Sequence, residues 1–573
     1  MKFPTVRSLP LLLALACSGV ASSIQYASAQ TLPIDYQLQM QVRASLGGSA
    51  YNLPSGSTFN SVSASLNDLG KVAVKVSTIG GTTSPAIFFG GQGTGSLVHD
   101  ANDNAAILGE VFLNNNNQVS FTRAASTNTT DDGVYVYSDP LHTTTRATGG
   151  PLGATSYTNP QINDIGIIGM RIKFNTPQAL FTFNPGTNAF TNYVTETGGD
   201  PNSPYSFIYA PAFNNNNRIA AQVNLTGQPS TYKELRIWNS NGSSILVASG
   251  DSSAGPTFYA FDNSISMNNL DRVAFTTRTA AATSARRIVV SDGTNTTLFP
   301  TVSSGAGFTS IDSFPPVVND NGLVAFRGND NQSTPKDSVF VSNGTFVQRI
   351  AGVGDVVPTD IGPREIGFLM GAVDINNRGA VSFGVQFTSG SGGGNAIYVA
   401  YVRIVPLGAV SRKTHGLAGV FDIPLPLVGT PGIESRQGEG TNLQSHKIVV
   451  SFASGVTFAS AAITSGSGTI ESTAIQDNDV VVNLNNVANA QTLNITLFNV
   501  NDGFNTSDVV IPVSFLQGDV NGDRTVSASD IGQTKAATGS ATATNFRADA
   551  VANGTINASD ISFVKSRAGT TLP

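Results

Sequence analysis

The arrangement of apolar and polar residues follows one short phrase that returns seven times. In each copy an apolar residue precedes Asn, a second Asn or Asp, two turn-forming residues and one variable residue, after which Val or Ile begins an apolar strand. The copies start 47 to 57 residues apart, and such a period predicts one supersecondary unit that is stacked repeatedly. The copies are LNDLGKVAV from Leu66, LNNNNQVSF from Leu113, INDIGIIGM from Ile162, FNNNNRIAA from Phe213, MNNLDRVAF from Met267, VNDNGLVAF from Val318 and INNRGAVSF from Ile375.

A second apolar strand follows the phrase in every copy, as in GVYVY from Gly133 and SVFVS from Ser338, and it ends in a turn rich in Gly, Asn or Asp. Two less regular strands complete each copy, so about 50 residues hold four short antiparallel strands, as in one blade of a β-propeller. Seven blades can close into a ring without open sheet edges. We predict that the alternating residues 35–46 pair with the last blade and close this ring. An open solenoid of β-sandwich-like units is the alternative.

The repeats, over roughly residues 45–404, resemble those of a family of large secreted bacterial proteins with recurrent NDxGxVAF phrases. This resemblance supports a repeat fold and implies no reaction. The Asn and Asp residues of the phrase allow two interpretations, because their side-chain oxygens suit calcium and because Asn, Asp and Gly tolerate the left-handed backbone of tight turns. We interpret them as turn residues, since they recur where a turn must lead into a strand.

The period then ends, and residues 408–516 show a different pattern of apolar and polar residues. Alternating runs such as HKIVVSFASGVTF from His446 are separated by turns. About 100 residues of this kind predict an Ig-like β-sandwich. His415 lies near the start of this region beside Arg412 and Lys413. We interpret this single histidine as structural.

Two loops with regularly spaced oxygen-bearing residues stand at the C-terminus. Loop 1 begins DVNGDRTVSASD at Asp519 and loop 2 begins DAVANGTINASD at Asp549. Ligands at positions 1, 3, 5, 7, 9 and 12 of such a loop wrap around one hard cation. A short helix is predicted after each loop, at residues 531–536 and 561–566. The predicted metal ligands are Asp519, Asn521, Asp523, Thr525 through its carbonyl, Ser527 and Asp530 in loop 1, and Asp549, Asn553, Thr555, Asn557 and Asp560 in loop 2.

Both units contain ASDI and a Lys five residues after the last ligand. Over residues 517–569 they resemble a type I dockerin domain. The resemblance implies that the loops bind Ca²⁺ and that the domain docks an exported protein onto a cohesin partner in a calcium-dependent way. Many members of that family carry polysaccharide-degrading enzymes. The cohesin-facing positions that the resemblance implies are Ala528, Ser529, Lys535, Ala558, Ser559 and Lys565.

Each loop departs from the family pattern at one position. Arg524 stands in loop 1 where the sharp turn normally takes Gly, and a left-handed residue other than glycine costs about 1–2 kcal/mol. Loop 2 keeps Gly554 at this position but has Val551 at position 3, where the side chain offers no oxygen. We therefore expect one firm calcium site in loop 1 and one weak site in loop 2.

Residues 1–29 have the pattern of a secretory signal peptide. Lys2 and Arg7 precede a short apolar run, and the small residues of ASA, ending at Ala29, form a cleavage signal. No segment approaches about 18 uninterrupted apolar residues, so we expect a secreted protein without a transmembrane segment. Cys17, the single cysteine, lies inside this signal, and a lipoprotein anchored through Cys17 is the alternative.

Composition narrows the classes of function. Charged residues make up only 12% of the chain, and 59 residues are Gly, which fits β-structure with many turns. The net charge of -6, without any run of basic residues, argues against a nucleic-acid partner. The four histidines lack zinc-site spacing, and the few Glu residues lie in no recognisable catalytic motif. We therefore assign no catalytic residue.

The sequence thus predicts a mainly β protein with a signal peptide (1–29), a seven-bladed β-propeller (30–407), an Ig-like β-sandwich (408–516) and a small α-helical calcium-binding dockerin-like domain (517–573). The preferred interpretation is a secreted, non-catalytic protein whose tail binds Ca²⁺ and docks to a cohesin-like partner, and whose propeller binds carbohydrate or protein. One alternative is a polysaccharide-degrading enzyme, a glycoside hydrolase or lyase, that carries a dockerin. Another is a structural cell-surface protein whose tail serves only for export or retention.

Overall fold

The computed structural model is mainly β, with 53% of the residues that it describes in strands and two short α-helices among them. The predicted signal peptide and Cys17 lie outside the residues that it describes. None of the helices in the described part of the chain is both long and apolar enough to cross a membrane. The described residues are 34–44, 53–59, 63–80, 84–91, 94–100, 106–125, 129–251, 258–278, 285–299, 307–438, 444–503 and 505–573.

Seven antiparallel sheets follow one another in the described parts of residues 36–402. The first three consist of Ser65–Leu66, Val72–Val76, Ala86–Gly91 and Thr94–Asp100; of Ala106–Leu113, Gln118–Ala125, Gly133–Ser138 and Thr143–Thr148; and of Ser156–Ile162, Ile168–Lys173, Gln178–Asn184 and Ala189–Thr195. The next three consist of Tyr205–Ile208, Ala212–Phe213, Ile219–Leu225, Tyr232–Trp238 and Ser244–Asp251; of Ala260–Met267, Val273–Arg278, Arg287–Ser291 and Thr296–Leu298; and of Phe308–Ile311, Val317–Val318, Val324–Asp330, Asp337–Ser342 and Val347–Gly352.

The seventh sheet joins the two ends of the repeat region. It contains Val356–Val357, Arg364–Ile375, Val381–Phe387 and Asn395–Val402. Its remaining strand, Tyr36–Ala44, comes from the N-terminal side and pairs antiparallel with Asn395–Val402. The prediction that residues 35–46 pair with the last repeat is therefore confirmed for Tyr36–Ala44, and residues 45 and 46 lie outside the described residues.

Strands that follow the phrase are apolar on both faces because each sheet lies between two others. In the first sheet, Val72 and Val74 pack into the core shared with the seventh sheet, whereas Ala73 faces the core shared with the second. Phe121 of the second sheet fills that latter core. Burial on both sides replaces the usual alternation by runs such as VAV.

The turn of the phrase has the same backbone shape in all seven copies. Its fifth residue has a positive φ, between +56° and +85°. Gly, Asn and Asp tolerate this conformation, and they are the residues found there. The interpretation of these positions as turn residues is therefore confirmed. The seven residues are Gly70, Asn117, Gly166, Asn217, Asp271, Gly322 and Gly379.

Two further sheets, which we call the sandwich, share one apolar core in residues 408–516. Ile448 and Val482 fill this core from one sheet, and Ile495 and Ile511 fill it from the other. The first sheet has the order Gly419–Leu425, Gly408–His415, His446–Ser451, Asp479–Asn485, Thr469–Gln476, and the second has the order Gly432–Glu434, Thr506–Phe515, Gln491–Asn501, Ser460–Ser465.

The C-terminal residues form two helices, α1 (Ala528–Ala536) and α2 (Ala558–Arg567), and a small ladder of Gly539–Ser540 with Thr555–Ile556. Both helices start three residues before their predicted starts. Ser527 and Asn557 act as N-caps, and the carboxylates three residues later complete capping boxes. These caps bring the last predicted metal ligand of each loop into the first turn of a helix. Short 3₁₀ turns occupy Thr129–Asp131, Asp139–Leu141, Ser389–Ser391, Gly416–Ala418 and Phe546–Ala548.

Candidate metal centre and central cavity

The first Asn of each phrase ties its own turn to the next sheet. Asn268 shows the pattern: its Oδ1 accepts the backbone N–H groups of Leu270 and Arg272, and its Nδ2 donates to the carbonyl oxygen of Asn319 at 2.9 Å. Asn376 of the seventh copy donates to the carbonyl of Asn67 in the first copy, also at 2.9 Å, and so completes a circle. We call these buried residues the Asn ring. They are Asn67, Asn114, Asn163, Asn214, Asn268, Asn319 and Asn376.

The second residue of each phrase forms another closed circle, the Asn/Asp ring. The backbone N–H of every member donates to the side-chain Oδ1 of the next at 2.7–2.9 Å. Each of the three carboxylates also accepts amide hydrogens from two Asn side chains through its Oδ2. The members are Asp68, Asn115, Asp164, Asn215, Asn269, Asp320 and Asn377.

Both rings line a cavity of about 220 Å³ where the seven sheets meet. Asp374, which precedes the phrase of the seventh copy, also lines it. Its carboxylate accepts the backbone N–H groups of Leu66 and Ile375, both at 2.9 Å. Burial raises the pKa of Asp374 to about 7, despite these hydrogen bonds. Sequence reasoning missed this residue, although it is the one charged side chain at that place among the seven copies.

Loop 1 brings three carboxylates together. Asp519, Asp523 and Asp530 each place an oxygen within 4.8 Å of the others. Asp519 is buried at the base of the loop, where its Oδ1 accepts the N–H groups of Gly522 and Asp523 and its Oδ2 accepts that of Arg524. Arg524 has a φ of +75°, as its position in the sharp turn predicts.

The charges in loop 1 are close enough to oppose one another. Burial raises the pKa of Asp519, and the neighbouring carboxylates of Asp530 and Asp523 raise it further against the effect of its backbone hydrogen bonds. A hard cation among these oxygens would relieve that repulsion. The residues of loop 1 therefore fit a calcium ion.

Loop 2 has the same backbone frame but fewer charges. Asp549 accepts the N–H of Asn553 through Oδ1 and that of Gly554 through Oδ2. The only other carboxylate of the loop is Asp560, and Val551 and Asn553 stand where loop 1 has Asn521 and Asp523. Its fit to a calcium ion is poorer for this reason.

A partner from the sandwich contacts loop 2. His415 Nδ1 lies 2.8 Å from Asp549 Oδ2, and both side chains are fully buried. Burial alone would raise the pKa of Asp549, but the hydrogen bonds from His415 and Gly554 hold it below its usual range. His415 thus has a structural role, as we expected, but its contact with loop 2 could not be anticipated from its place in the sequence.

The model of the dockerin type I domain family matches residues 517–567. These residues form a type I dockerin domain. Dockerin domains typically bind calcium, they bind cohesins, and proteins that contain them are typically extracellular or attached to the cell surface. All six cohesin-facing positions that the resemblance implied are exposed on α1 and α2 of the dockerin.

The solved structures that resemble parts of this chain include one β-propeller domain and several enzymes. The beta-propeller domain of the Trilobed protease from Pyrococcus furiosus is 11% identical, with a TM-score of 0.40 over 57% of this chain and 92% of that chain. The oligogalacturonate lyase from Vibrio parahaemolyticus is 12% identical, with a TM-score of 0.39 over 65% of this chain and 98% of that chain. The acylaminoacyl peptidase of Pyrococcus horikoshii is 9% identical, with a TM-score of 0.32 over 60% of this chain and 58% of that chain. No curated protein matches this sequence.

Proposed function

We propose that this chain is a secreted, non-catalytic binding protein that its dockerin attaches to a cohesin-like partner. The observation that carries the proposal is the dockerin with an intact first loop, in which Asp519, Asp523 and Asp530 converge. In this proposal residues 1–29 are a signal peptide that is removed on export. The seven sheets are the seven blades of a propeller that binds carbohydrate or protein, and the sandwich is Ig-like.

Loop 1 is the firm calcium site of this proposal. Asp519, Asn521, Asp523, Ser527 and Asp530 supply side-chain oxygens, and Thr525 supplies its carbonyl. A bound calcium ion would supply positive charge that fixes the loop against the start of α1. Asp530 already holds that start, because its Oδ2 accepts the Ser527 N–H at 2.9 Å while its Oδ1 accepts the Val520 N–H at 2.9 Å. Loop 2 is the weaker site, with Asp549, Asn553, Thr555, Asn557 and Asp560 as its potential ligands.

The partner surface of the proposal lies on the two dockerin helices. A small residue and a hydroxyl begin each helix, and a lysine lies in its last turn, all exposed. Such a surface suits a protein partner that offers acidic and hydrogen-bonding groups. The residues are Ala528, Ser529 and Lys535 on α1 and Ala558, Ser559 and Lys565 on α2.

A pull-down of the full secreted chain with an immobilised type I cohesin tests this function. We expect binding in calcium, loss of binding in a chelator, and weaker binding when Lys535→Glu and Lys565→Glu are combined. Lys173→Glu, an exposed lysine of the third sheet, is the matched control and should bind normally. Binding that ignores the chelator would contradict the calcium-dependent attachment. Failure to bind any cohesin would favour a tail that serves only for export or retention.

One observation favours the alternative of a polysaccharide-degrading enzyme. Asp374 lines the central cavity, and its pKa of about 7 suits a group that gives or takes a proton near neutral pH. A panel of polysaccharides incubated with the wild-type chain and with Asp374→Asn would separate the two functions. Turnover by the wild type that the variant loses would establish the enzyme. Binding without turnover would support the carbohydrate-binding propeller.

A further inference from the structure

The dockerin is seated on the sandwich through loop 2. Gln437 of the sandwich donates its backbone N–H to the carbonyl of Ala550 at 2.8 Å and its side-chain amide to the carbonyl of Val551 at 3.0 Å. The rings of Phe421 and Phe546 stack across the same boundary, 5.2 Å apart and 13° from parallel. Loop 2 is therefore part of an interface within the chain.

Two glycines allow the backbones to meet this closely. A Cβ atom at Gly416 would lie 2.3 Å from the carbonyl oxygen of Asn553, and one at Gly554 would lie 2.8 Å from the carbonyl oxygen of His415. Gly554 is the residue that the calcium-loop pattern requires at the sharp turn, but Gly416 belongs to the sandwich. The close approach thus depends on residues from both sides.

The hydrogen bonds around His415 fix its protonation. Arg436 Nη1 lies 3.1 Å from His415 Nε2, and a guanidinium group can only donate, so Nε2 carries no proton. The single imidazole hydrogen is therefore on Nδ1 and points to Asp549 Oδ2. Arg436 is itself held by Glu434 at 2.7 Å, and both side chains are fully buried. The sandwich thus presents a rigid N–H donor to loop 2.

This donor takes a position that loop 1 leaves open. In both loops Oδ2 of the first Asp accepts the backbone N–H of position 6, from Arg524 in loop 1 and from Gly554 in loop 2. Asp519 Oδ2 has no other protein donor among the described residues, whereas Asp549 Oδ2 also accepts the hydrogen of His415. The electron pair that a cation could use in loop 1 is occupied in loop 2.

We propose that the sandwich binds loop 2 in cis, with His415 taking the place of the second calcium ion. The weaker calcium site of loop 2 then stays empty, and the dockerin holds one calcium ion and is fixed to the sandwich. Loop 2 lacks the third carboxylate that makes loop 1 attractive to a cation, and a neutral N–H donor is sufficient for Asp549. The helices stay free for a partner, since their six cohesin-facing positions are exposed. The expected number of one calcium ion rests on the proposed calcium site of loop 1. The contact between His415 and loop 2 depends neither on that site nor on cohesin binding.

Calcium titration of the full chain by calorimetry measures the number of calcium ions bound per chain. We expect one ion per chain in the wild type, one in Asp549→Asn and none in Asp519→Asn. Two ions in the wild type, or loss of an ion in Asp549→Asn, would overturn the inference. No ion in the wild type, together with the protection described next, would contradict the calcium site of loop 1 and leave the contact of loop 2 standing.

Hydrogen exchange of the calcium-free full chain tests the contact. The amides of Asn553, Gly554 and Gln437 should be protected, and His415→Ala should speed their exchange at least tenfold. His446→Ala is the matched control, because His446 is also a buried histidine of the sandwich but makes no hydrogen bond to the dockerin. Equal acceleration by the two variants would overturn the inference. If His415→Ala does not fold, Asp549→Asn approaches the same contact from the dockerin and should speed exchange at Gly554.

Discussion

The seven sheets of residues 36–402 form what we call the propeller-like region. Its Asn/Asp ring and loop 1 of the dockerin are built from the same residue types, but side-chain amides separate the carboxylates of the ring, whereas the carboxylates of loop 1 converge. In the ring, Asn115 donates one amide hydrogen to Asp68 at 3.0 Å and another to Asp164 at 3.1 Å. In loop 1, Asp519 and Asp530 are held by backbone N–H groups and converge with a third carboxylate. We infer that the ratio of amide donors to carboxylates, rather than the number of oxygens, distinguishes the structural turns of the ring from the proposed cation site of loop 1.

The odd number of repeats forces one break in the alternation of Asn and Asp around the ring. Seven positions cannot alternate completely between Asn and Asp, and the one place where like residues meet is Asn215 beside Asn269. There the Asn215 N–H donates to Asn269 Oδ1 at 2.9 Å. The mismatch falls on two neutral amides rather than on two carboxylates, so the ring avoids a pair of adjacent negative charges.

The largest effect on ligand binding is expected in loop 1, where the carboxylates converge. Asp519→Asn should weaken calcium binding at loop 1 at least 100-fold, about 2.7 kcal/mol, because it removes a buried charge from the first ligand position. Calorimetric titration of the full chain measures this. Asp508→Asn, an exposed carboxylate of the sandwich, removes the same charge outside the loop and should bind calcium as the wild type does. Wild-type affinity in Asp519→Asn would mean that the cation site lies elsewhere.

The next effect is on stability and concerns Asp374, a carboxylate that lines the cavity. Unlike the carboxylates of the Asn/Asp ring, Asp374 accepts hydrogen bonds from backbone N–H groups and from no side-chain amide among the described residues. Its pKa is raised from 3.8 to about 7 on folding, so its contribution to stability is present below pH 3.8 and is lost as the pH rises to 7. The free energy of unfolding of Asp374→Asn minus that of the wild type should therefore increase between pH 4 and pH 8 by up to about 4 kcal/mol.

Urea unfolding at the two pH values measures this difference. The fluorescence of Trp238 reports the propeller-like region, because it is the single tryptophan and is buried in the fourth sheet. Asp200→Asn, an exposed carboxylate, should show no such increase. A difference for Asp374→Asn that is constant with pH would mean that folding does not raise the pKa of this carboxyl.

Local patterns made part of this comparison predictable from the sequence. The left-handed fifth residue of the phrase, the ligand spacing from Asp519 to Asp530 and the pairing of Tyr36–Ala44 with the last repeat all depend on chemistry within a few residues or on strand alternation. The caps at Ser527 and Asn557 were equally local, and both helices were nevertheless predicted to start three residues too late, because these residues were interpreted only as metal ligands.

Contacts between distant segments could not be predicted from the sequence. Asn376 and Asn67 are 309 residues apart, and His415 and Asp549 are 134 residues apart. Nothing in either local pattern says that the two will meet, because such contacts depend on how whole sheets stack. Asp374 was missed for the same reason, because its surroundings in the cavity are set by the closure of seven sheets.

A smaller effect is expected in the Asn ring. Asn319→Ala should lower the free energy of unfolding of the propeller-like region by about 2–3 kcal/mol, because two buried hydrogen bonds lose a partner. These are the bond from Leu323 N–H to Asn319 Oδ1 and the bond from Asn319 Nδ2 to the carbonyl of Asn376, each 2.9 Å long. Urea unfolding followed by Trp238 measures it. Asn241→Ala, in an exposed turn, should cost less than about 0.5 kcal/mol; equal costs would show that the ring adds no stability.

The smallest effect tests the comparison most directly. Asn115→Asp removes the two amide hydrogens between Asp68 and Asp164 and adds a fourth carboxylate to the ring, directly between these two, which should cost about 1 kcal/mol at pH 7. If the balance of amides and carboxylates decides where cations bind, millimolar calcium should restore part of this loss in the Trp238 transition.

Asn215→Asp is the matched control for this substitution, because Asn215 donates its side-chain amide to one carboxylate, Asp164, at 2.7 Å, instead of two. It should lose about half as much stability and regain less with calcium. The wild-type transition should not respond, since its carboxylates already have amide partners. Should calcium stabilise the wild-type propeller-like region as much as Asn115→Asp, the amides would not be what distinguishes the ring from loop 1, and the shape of the loop would have to account for the difference.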